Sequence, residues 1–402
     1  MTTQRERGAV IPLVVVALLA LIAIAGLALD TAHVVLNKSR LQSALDAAAL
    51  AAAKVLDQSA STTLATTAAG NVFTLNLAQY PELQKAVGSG LTLTTQYSST
   101  LIPFNPGTAP AMFVRTKIVG FTTQMSLSSV LGITSMNVGG SAVAGPSPSL
   151  VTACNVAPVF MCGTNSVGPP LYGYTANQVV GLNQLASNGA IGPGNYGLLA
   201  LGGNGAAIVR DNLAGDYASC SSIGATVATE PGVAAGPVSQ GINARFGDYK
   251  GGLSAATYPP DVINSSAHQT SLSTDSNGNV TQGGTIVTTA SQLTFNYADY
   301  NTLLLAKTYD TQPLPTGTAA FGRRVMAVPL GDCTGAANGK NTVSVSGFAC
   351  VFLLQELGNG SNDIIYGQIL SSCDAGGRPG AGSGSVGPHV IELYKSAGSP
   401  DS

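Results

Sequence analysis

Between Arg7 and Asp30 the chain carries no charge. The run from Ala9 to Leu29, AVIPLVVVALLALIAIAGLAL, is 21 residues long. As a helix rising about 1.5 Å per residue it spans the roughly 30 Å of bilayer hydrocarbon. Pro12 falls in the first turn, where its missing N–H costs little. Arg5 and Arg7 precede the run and no Lys or Arg follows directly after Leu29, so the positive-inside rule places the N-terminus in the cytoplasm and the rest beyond the membrane. A cleaved signal peptide is the rival reading, because Ala23-Ile24-Ala25 satisfies the small-x-small rule. Against it stand the length of the run and the helix-forming sequence that continues past it; a mature start at Gly26 would decide for cleavage.

That continuation reads TAHVVLNKSRLQSALDAAALAAAKVLDQ. Apolar positions Val34, Leu41, Leu45, Ala48, Ala52 and Val55 recur mostly at steps of three and four, the pattern of an amphipathic helix with a narrow seam. Alanines beside the seam allow close helix approach. Leu41, Leu45, Ala48, Ala52 and Val55 are therefore candidate docking residues, either for a partner helix or for the chain's own outer domain.

All six cysteines, Cys154, Cys162, Cys220, Cys333, Cys350 and Cys373, lie far beyond the apolar run. None forms C-x-x-C and no histidine pair accompanies them, which argues against zinc. An even count beyond a membrane-targeting segment points to disulfides and an oxidising compartment. Fifteen connectivities exist for six cysteines. Pairing by local loops gives Cys154–Cys162 and Cys333–Cys350, leaving Cys220 for Cys373.

The remaining sequence is apolar and turn-rich. Charged residues are 9 % of the chain, hydrophobic residues 45 %, and the net charge is −2. These values exclude a disordered chain and leave no clustered basic face for nucleic acid. Short alternating runs at 91–96, 112–119, 121–127 and 136–144 predict antiparallel strands with one buried face. Gly145-Pro146-Ser147-Pro148 marks a boundary. Beyond it, helices are predicted at 177–186, 206–214 and 298–307. Strands are predicted in TIVTT, QLTFNY, RRVMAVPL, TVSVSGFACVFLLQ, DIIYGQIL and HVIELY, with a turn at Asp275–Asn279. The fold class is α+β, with a long N-terminal transmembrane and amphipathic helix followed by β-rich mixed domains. The segments are a cytoplasmic stub and transmembrane helix at 1–30, an amphipathic periplasmic helix at 31–70, a small β-rich domain at 71–148 and a disulfide-stapled β-rich outer domain at 149–402.

Little catalytic chemistry is written in the chain. His33, His268 and His389 are isolated in sequence, and H-E-x-x-H and G-x-S-x-G are absent. Gly382-Ser383-Gly384-Ser385-Val386-Gly387 fits G-x-G-x-x-G literally, but Pro388 follows it where phosphate cradling needs a helix. The Asp275 stretch lacks the glycine and glutamate of a calcium loop. Arg323-Arg324 reads as a solvated strand entrance that could grip an anionic partner. The expectation is a non-enzymatic protein with no cofactor and no metal.

One stretch points to a family. Gly8-Ala9-Val10, the span ending Gly26-Leu27-Ala28-Leu29-Asp30, and the run from Arg40 through Leu41-Gln42, Ala44, Asp46 and the alanines to Ala53 together resemble the N-terminus of TadG-like Flp (Tad) pilus-assembly proteins. Segments 126–145, 194–201, 236–249 and 323–333 also resemble that family. The resemblance implies a single-pass bacterial inner-membrane or pilin-like component of a type IVb pilus machine. Its chain would be mostly periplasmic or exposed in a pilus, its partners would be other pilus-assembly or pilin-like proteins, and its association would be with adhesion and biofilm. Polymerising pilins of this class carry Glu five residues after the processing glycine; Leu13 stands there, so the resemblance stops short of bulk polymerisation and prepilin-peptidase cleavage. Some TadG relatives carry a D-x-S-x-S metal site; Asp57-Gln58-Ser59-Ala60-Ser61 has the letters but follows a helix instead of a buried strand. The alternatives are a surface-binding adhesin unrelated to a pilus and an envelope hydrolase, whose Ser–His–Asp members nothing in the sequence selects.

Overall fold

In a computed structural model of the chain the described residues are 10–59, 61–88, 91–163, 168, 171–182, 195–215, 217, 219–231, 235–333, 340–358, 363–380 and 386–395. The fold is α+β: a long N-terminal helix and then a β-rich remainder. It divides into two compact units. The first comprises Met1–Val55, Thr62–Gly145 and Glu392–Ser402; the second comprises Leu56–Ser61 and Pro146–Ile391.

Helix α1 runs from Val10 to Ser59, 50 residues, or about 75 Å at 1.5 Å per residue. Leu, Val, Ile and Ala fill it and no glycine interrupts it except Gly26, so propensity alone favours an unbroken rod. Its two halves differ in what surrounds them. From Leu13 (71 % exposed) to Leu29 (63 %) the apolar side chains face outward, whereas Leu41, Leu45, Ala48 and Ala52 are fully buried. A core helix of a soluble domain would be buried throughout; this one is long and apolar enough to cross a membrane.

In the first unit α2 (Thr62–Leu77) buries Ala65, Ala69, Phe73 and Leu77, a strict i, i+4 stripe. Helix α3 (Pro81–Gly88) starts on proline, the residue suited to a first turn. An antiparallel sheet completes the unit, ordered β1 (Thr94–Ser98), β2 (Phe113–Gln124), β3 (Ser135–Pro146) and the C-terminal strand Ile391–Tyr394. The predicted strands at 112–119 and 121–127 are one strand here, bent by an irregularity between Ile118 and Phe121. The buried half of α1 lies on this sheet. Thr116 Oγ1 donates to the Leu45 carbonyl at 3.0 Å, and Gln42 Nε2 to the Ser141 carbonyl at 3.0 Å. Gly140 permits the approach, since a Cβ there would stand 2.8 Å from Gln42 Oε1.

The second unit is built on a five-stranded sheet ordered Met161–Gly163, Val325–Asp332, Gly347–Leu353, Tyr366–Leu370 and Val179–Gly181. Every residue of Gly347–Leu353 is buried, as expected of a central strand covered on both faces. One face packs on α4 (Ala206–Ala214) and α5 (Ala235–Ala244) through Val209, Leu213, Val238 and Ile242. The other packs on α6 (Tyr297–Ala306) and the loops before it through Val262, Tyr300 and Leu304. The Asn296 side chain caps α6 by accepting from the N–H groups of Ala298 and Asp299.

Several expectations are corrected. Residues Val179–Gly181 within the predicted helix 177–186 form an edge strand, because Val-Val beside a glycine suits a sheet margin. QLTFNY holds no strand: Gln292 closes a 3-10 turn and Asn296 caps α6, so an N-cap signal was read as strand propensity. All three disulfide pairings differ as well. The bridges are Cys154–Cys220, Cys162–Cys333 and Cys350–Cys373. Strand neighbourhood, not chain proximity, sets them: Cys154 sits opposite Cys220 in antiparallel register. Cys162 lies on the strand running parallel to the one that leads to Cys333.

Candidate functional site

The candidate site is the helix itself. Its buried residues run along one side, Gly26, Asp30, Val34, Asn37, Leu41, Leu45, Ala48, Ala52, Leu56 and Ser59 at steps of three and four, widened in the second half by Ala44, Ala49 and Ala53. Of the candidate docking residues, Leu41, Leu45, Ala48 and Ala52 are 0 % exposed within the chain and Val55 is half-buried beside Leu56. Within the single chain the seam is thus buried, around Gln42 and Leu45 against the sheet of the first unit. Val35 (61 % exposed) and Leu36 (46 %) lie on another face of α1.

Two polar clusters mark where the exposed half of α1 passes into the buried half. The Asp30 carboxylate accepts from the backbone N–H groups of Ser126 (3.2 Å), Leu127 (2.9 Å) and Ser128 (2.6 Å) at the turn joining β2 to β3. That turn contains a 3-10 segment, Ser128–Leu131; its free N–H groups are the natural partner of a carboxylate. Less than one turn further on, His33 Nε2 lies 2.8 Å from Glu82 Oε2 of α3, and Asn37 Nδ2, one turn beyond His33, donates to the same oxygen at 3.0 Å. Sequence reasoning passed over Asp30 and Gly26. An acidic residue directly closing an apolar span, one turn after its single interior glycine, was the available signal.

In the second unit the Arg323-Arg324 pair is not a solvated entrance. Arg324 is 0 % exposed. Its guanidinium donates to the carbonyls of Leu353, Ile263, His268 and Leu354 and lies 4.5 Å from the Phe352 ring centre and 4.8 Å from that of Phe246. Arg323 reaches the carbonyls of Pro259 and Ala214, and the buried Arg245 those of Leu213 and Arg323. These arginines surround Asp261, which accepts from Tyr300 Oη and from the N–H groups of Ile263 and Arg324. Burial pushes Asp261 up and Arg324 down to about 10, which leaves the guanidinium charged at neutral pH. The cluster fastens helix ends and strand ends together, with Arg245, Asp261 and Arg324 buried and Arg323 half-buried at its edge.

The histidines are each paired with an acid. His268 Nδ1 faces both Ser265 Oγ (3.1 Å) and Asp310 Oδ2 (2.9 Å), whereas a relay needs serine and aspartate on opposite ring nitrogens. His389 Nε2 lies 3.0 Å from Asp57 Oδ1 in the second unit. A cleft of about 290 Å³ adjoins that pair, lined among others by Asp57, Gln58, Asn177, Tyr297, Phe321 and Asp374; amides, carboxylates and a phenol ring suit a polyhydroxyl ligand. Asp275 Oδ1 accepts from the N–H groups of Asn277 and Asn279, a turn closed on itself. Among the described residues no group of three or more His, Cys, Asp or Glu is placed to hold a metal ion. Gly382–Ser385 of the G-x-G-x-x-G stretch lie outside the described residues.

The fold and the site define a class: an α+β protein built on one membrane-competent N-terminal helix whose second half is packed into its own first unit. Residues 8–55, a span that takes in this helix as far as Val55, match the model of the putative Flp pilus-assembly TadE/G-like family. Neither a curated protein nor a solved structure matches the chain.

Proposed function

We propose that the chain is a non-enzymatic, membrane-anchored component of a Flp/Tad type IVb pilus assembly system, acting as a low-copy pseudopilin-like or tip factor in adhesion and biofilm formation. One observation carries the reading: the family match ends at Val55, the last residue of α1 in the first unit. The similarity therefore covers the anchor and its packing seam, the part that a shared assembly machine would handle. Arg5 and Arg7 on the short side favour a cytoplasmic N-terminus with the disulfide-bonded unit in the periplasm or beyond. Detergent extraction of the tagged full-length chain followed by pull-down tests it. Co-purification of Flp-type pilins or pilus-assembly proteins is expected, together with loss of surface pili on deletion; normal piliation without the chain would overturn it.

A second reading, a surface-binding adhesin unconnected to a pilus, is favoured by the cleft at Tyr297 and Asp374. Saccharide binding that persists in a strain lacking pilus genes would support it over the first.

A further inference from the structure

The β2–β3 hairpin carries its turn to the level of α1 at which the uncharged run ends. Leu127 packs directly on Gly26: a Cβ added to Gly26 would stand 2.7 Å from Leu127 Cβ. One helical turn on, Asp30 accepts the N–H groups of Ser126, Leu127 and Ser128. The turn is therefore tied to α1 at two successive levels. Gly26 lies three residues inside Leu29, the last residue of the apolar run, or roughly 4.5 Å of helix rise.

What the turn presents outward is uncharged, three large apolar side chains set among the exposed Ser126, Ser129, Thr134 and Ser135. Leu127 is 46 % exposed, Ile133 44 % and Met136 49 %, and between Lys117 and Arg210 the sequence holds no charged residue. The adjoining helix presents Leu27, Leu29, Val35 and Leu36 in the same way. Asp30 is buried, His33 is paired with Glu82 at the surface, and the first Lys or Arg along α1 is Lys38. From Val10 to Lys38 the helix rises about 42 Å, the thickness of a bilayer with its headgroup layers. Residues 30–37, and the turn fastened beside them, then fall within the outer headgroup layer.

The backbone of the turn is prepared for such surroundings. Its N–H groups at Ser126, Leu127 and Ser128 go to Asp30. Those of Met125, Gly132 and Ile133 go to the carbonyls of Thr134, Ser129 and Ser128. Such internal pairing suits the border of the hydrocarbon, where water for an unpaired amide grows scarce.

From these observations we infer that the β2–β3 turn is a second membrane contact, inserted with Leu127, Ile133 and Met136 among the lipids of the outer leaflet beside α1. The ligand is the lipid surface. The inference rests on α1 spanning the bilayer. Its consequence is orientation: one helix can swivel and tilt, whereas a helix and an adjoining turn in the same leaflet fix how the first unit stands on the membrane.

The chain has no tryptophan, so a single introduced indole reports its surroundings. Ile133→Trp and, separately, Met136→Trp place it at the turn. Ile102→Trp (Ile102 is 74 % exposed) places it in the β1–β2 connection, at the opposite end of β2, roughly 40 Å along a 12-residue strand. Each full-length variant is reconstituted into phosphatidylcholine vesicles with brominated acyl chains and recovered by flotation. Quenching by the brominated lipid should be at least about twofold greater at 133 and 136 than at 102, with blue-shifted emission, as expected for indoles in the interfacial layer. Aqueous iodide should show the reverse order. Floated protein whose indoles at 133 and 136 are quenched by iodide as strongly as that at 102 would overturn the turn's insertion while leaving the anchor intact. Indoles shielded from both quenchers would overturn it in favour of a protein contact. Failure to float would sink the spanning helix and this inference together.

Discussion

Asp30 Oδ2 lies 2.6 Å from the backbone nitrogen of Ser128, 98 positions further along the chain. That carboxylate is held by three backbone N–H groups. Asp30→Ala should therefore loosen the β2–β3 turn without unfolding the second unit. Hydrogen exchange of the Ser126, Leu127 and Ser128 amides should quicken by at least about tenfold. Unchanged exchange would show that the turn holds itself.

The seam on α1 gives a prediction that separates its two sequence readings. Ala44 and Ala48 are buried in the chain's own first unit, so Ala48→Leu should destabilise the isolated protein by about 1–3 kcal/mol through overpacking. Thermal unfolding in detergent, with no partner present, measures it. An unaltered melting temperature accompanied by lost pilus assembly would return the seam to a partner helix.

Much of this helix was legible in the sequence, and for a physical reason. The absence of charge from Ala9 to Leu29 and the steps of three and four from Val34 onward are local, one-dimensional consequences of lipid and of packing. The hydrophobic alternation of β2 and β3 and the buried run around Phe348–Leu353 were legible on the same ground. The disulfides were not, because Cys162 and Cys333 are 171 residues apart in sequence and only a parallel strand pairing brings them together. Arg324 was misread for a related reason. Its solvation is replaced by carbonyls of Ile263, His268 and Leu353, which no reading of its neighbours in sequence could supply.

Arg324 is accordingly the side chain in the second unit least open to exchange. Arg324→Lys keeps the charge but cannot reach the same set of carbonyls with a planar fork. Arg324→Met leaves those acceptors unpaired and Asp261 without its nearest buried cation. Losses of more than about 3 kcal/mol are expected for the methionine variant, measured by denaturant unfolding of the full chain. A loss under about 1 kcal/mol would mean that the aromatic cage around Phe352 and Phe246 holds without the charge.

Peptide mapping under non-reducing conditions should return Cys154–Cys220, Cys162–Cys333 and Cys350–Cys373 as the three linked pairs. Replacing Cys162 and Cys333 together by Ser should cost about 2–5 kcal/mol. Recovery of a Cys154–Cys162 peptide from correctly folded protein would refute the strand arrangement that places them.

Asp310 should stay ionised to lower pH than an ordinary carboxylate. Burial alone would raise it, but the Ser265 N–H and the His268 ring outweigh burial and hold it below the usual carboxylate range. A depressed folded value means stabilisation present above the unfolded pKa of about 4 and lost as pH falls through the folded one. The stability deficit of Asp310→Asn relative to the parent should therefore be full at pH 6 and shrink as pH drops below about 4. A deficit that is constant with pH would assign the effect to packing.

The strand Ile391–Tyr394 belongs to the sheet of the first unit, next to β3, although the whole of Pro146–Ile391 is threaded between them. However early α1 and the first three strands fold, the edge of β3 that Ile391–Tyr394 covers stays open until the whole second unit has been made. A chain stalled or cut within the second unit would display that unpaired β edge, a template on which foreign strands can add.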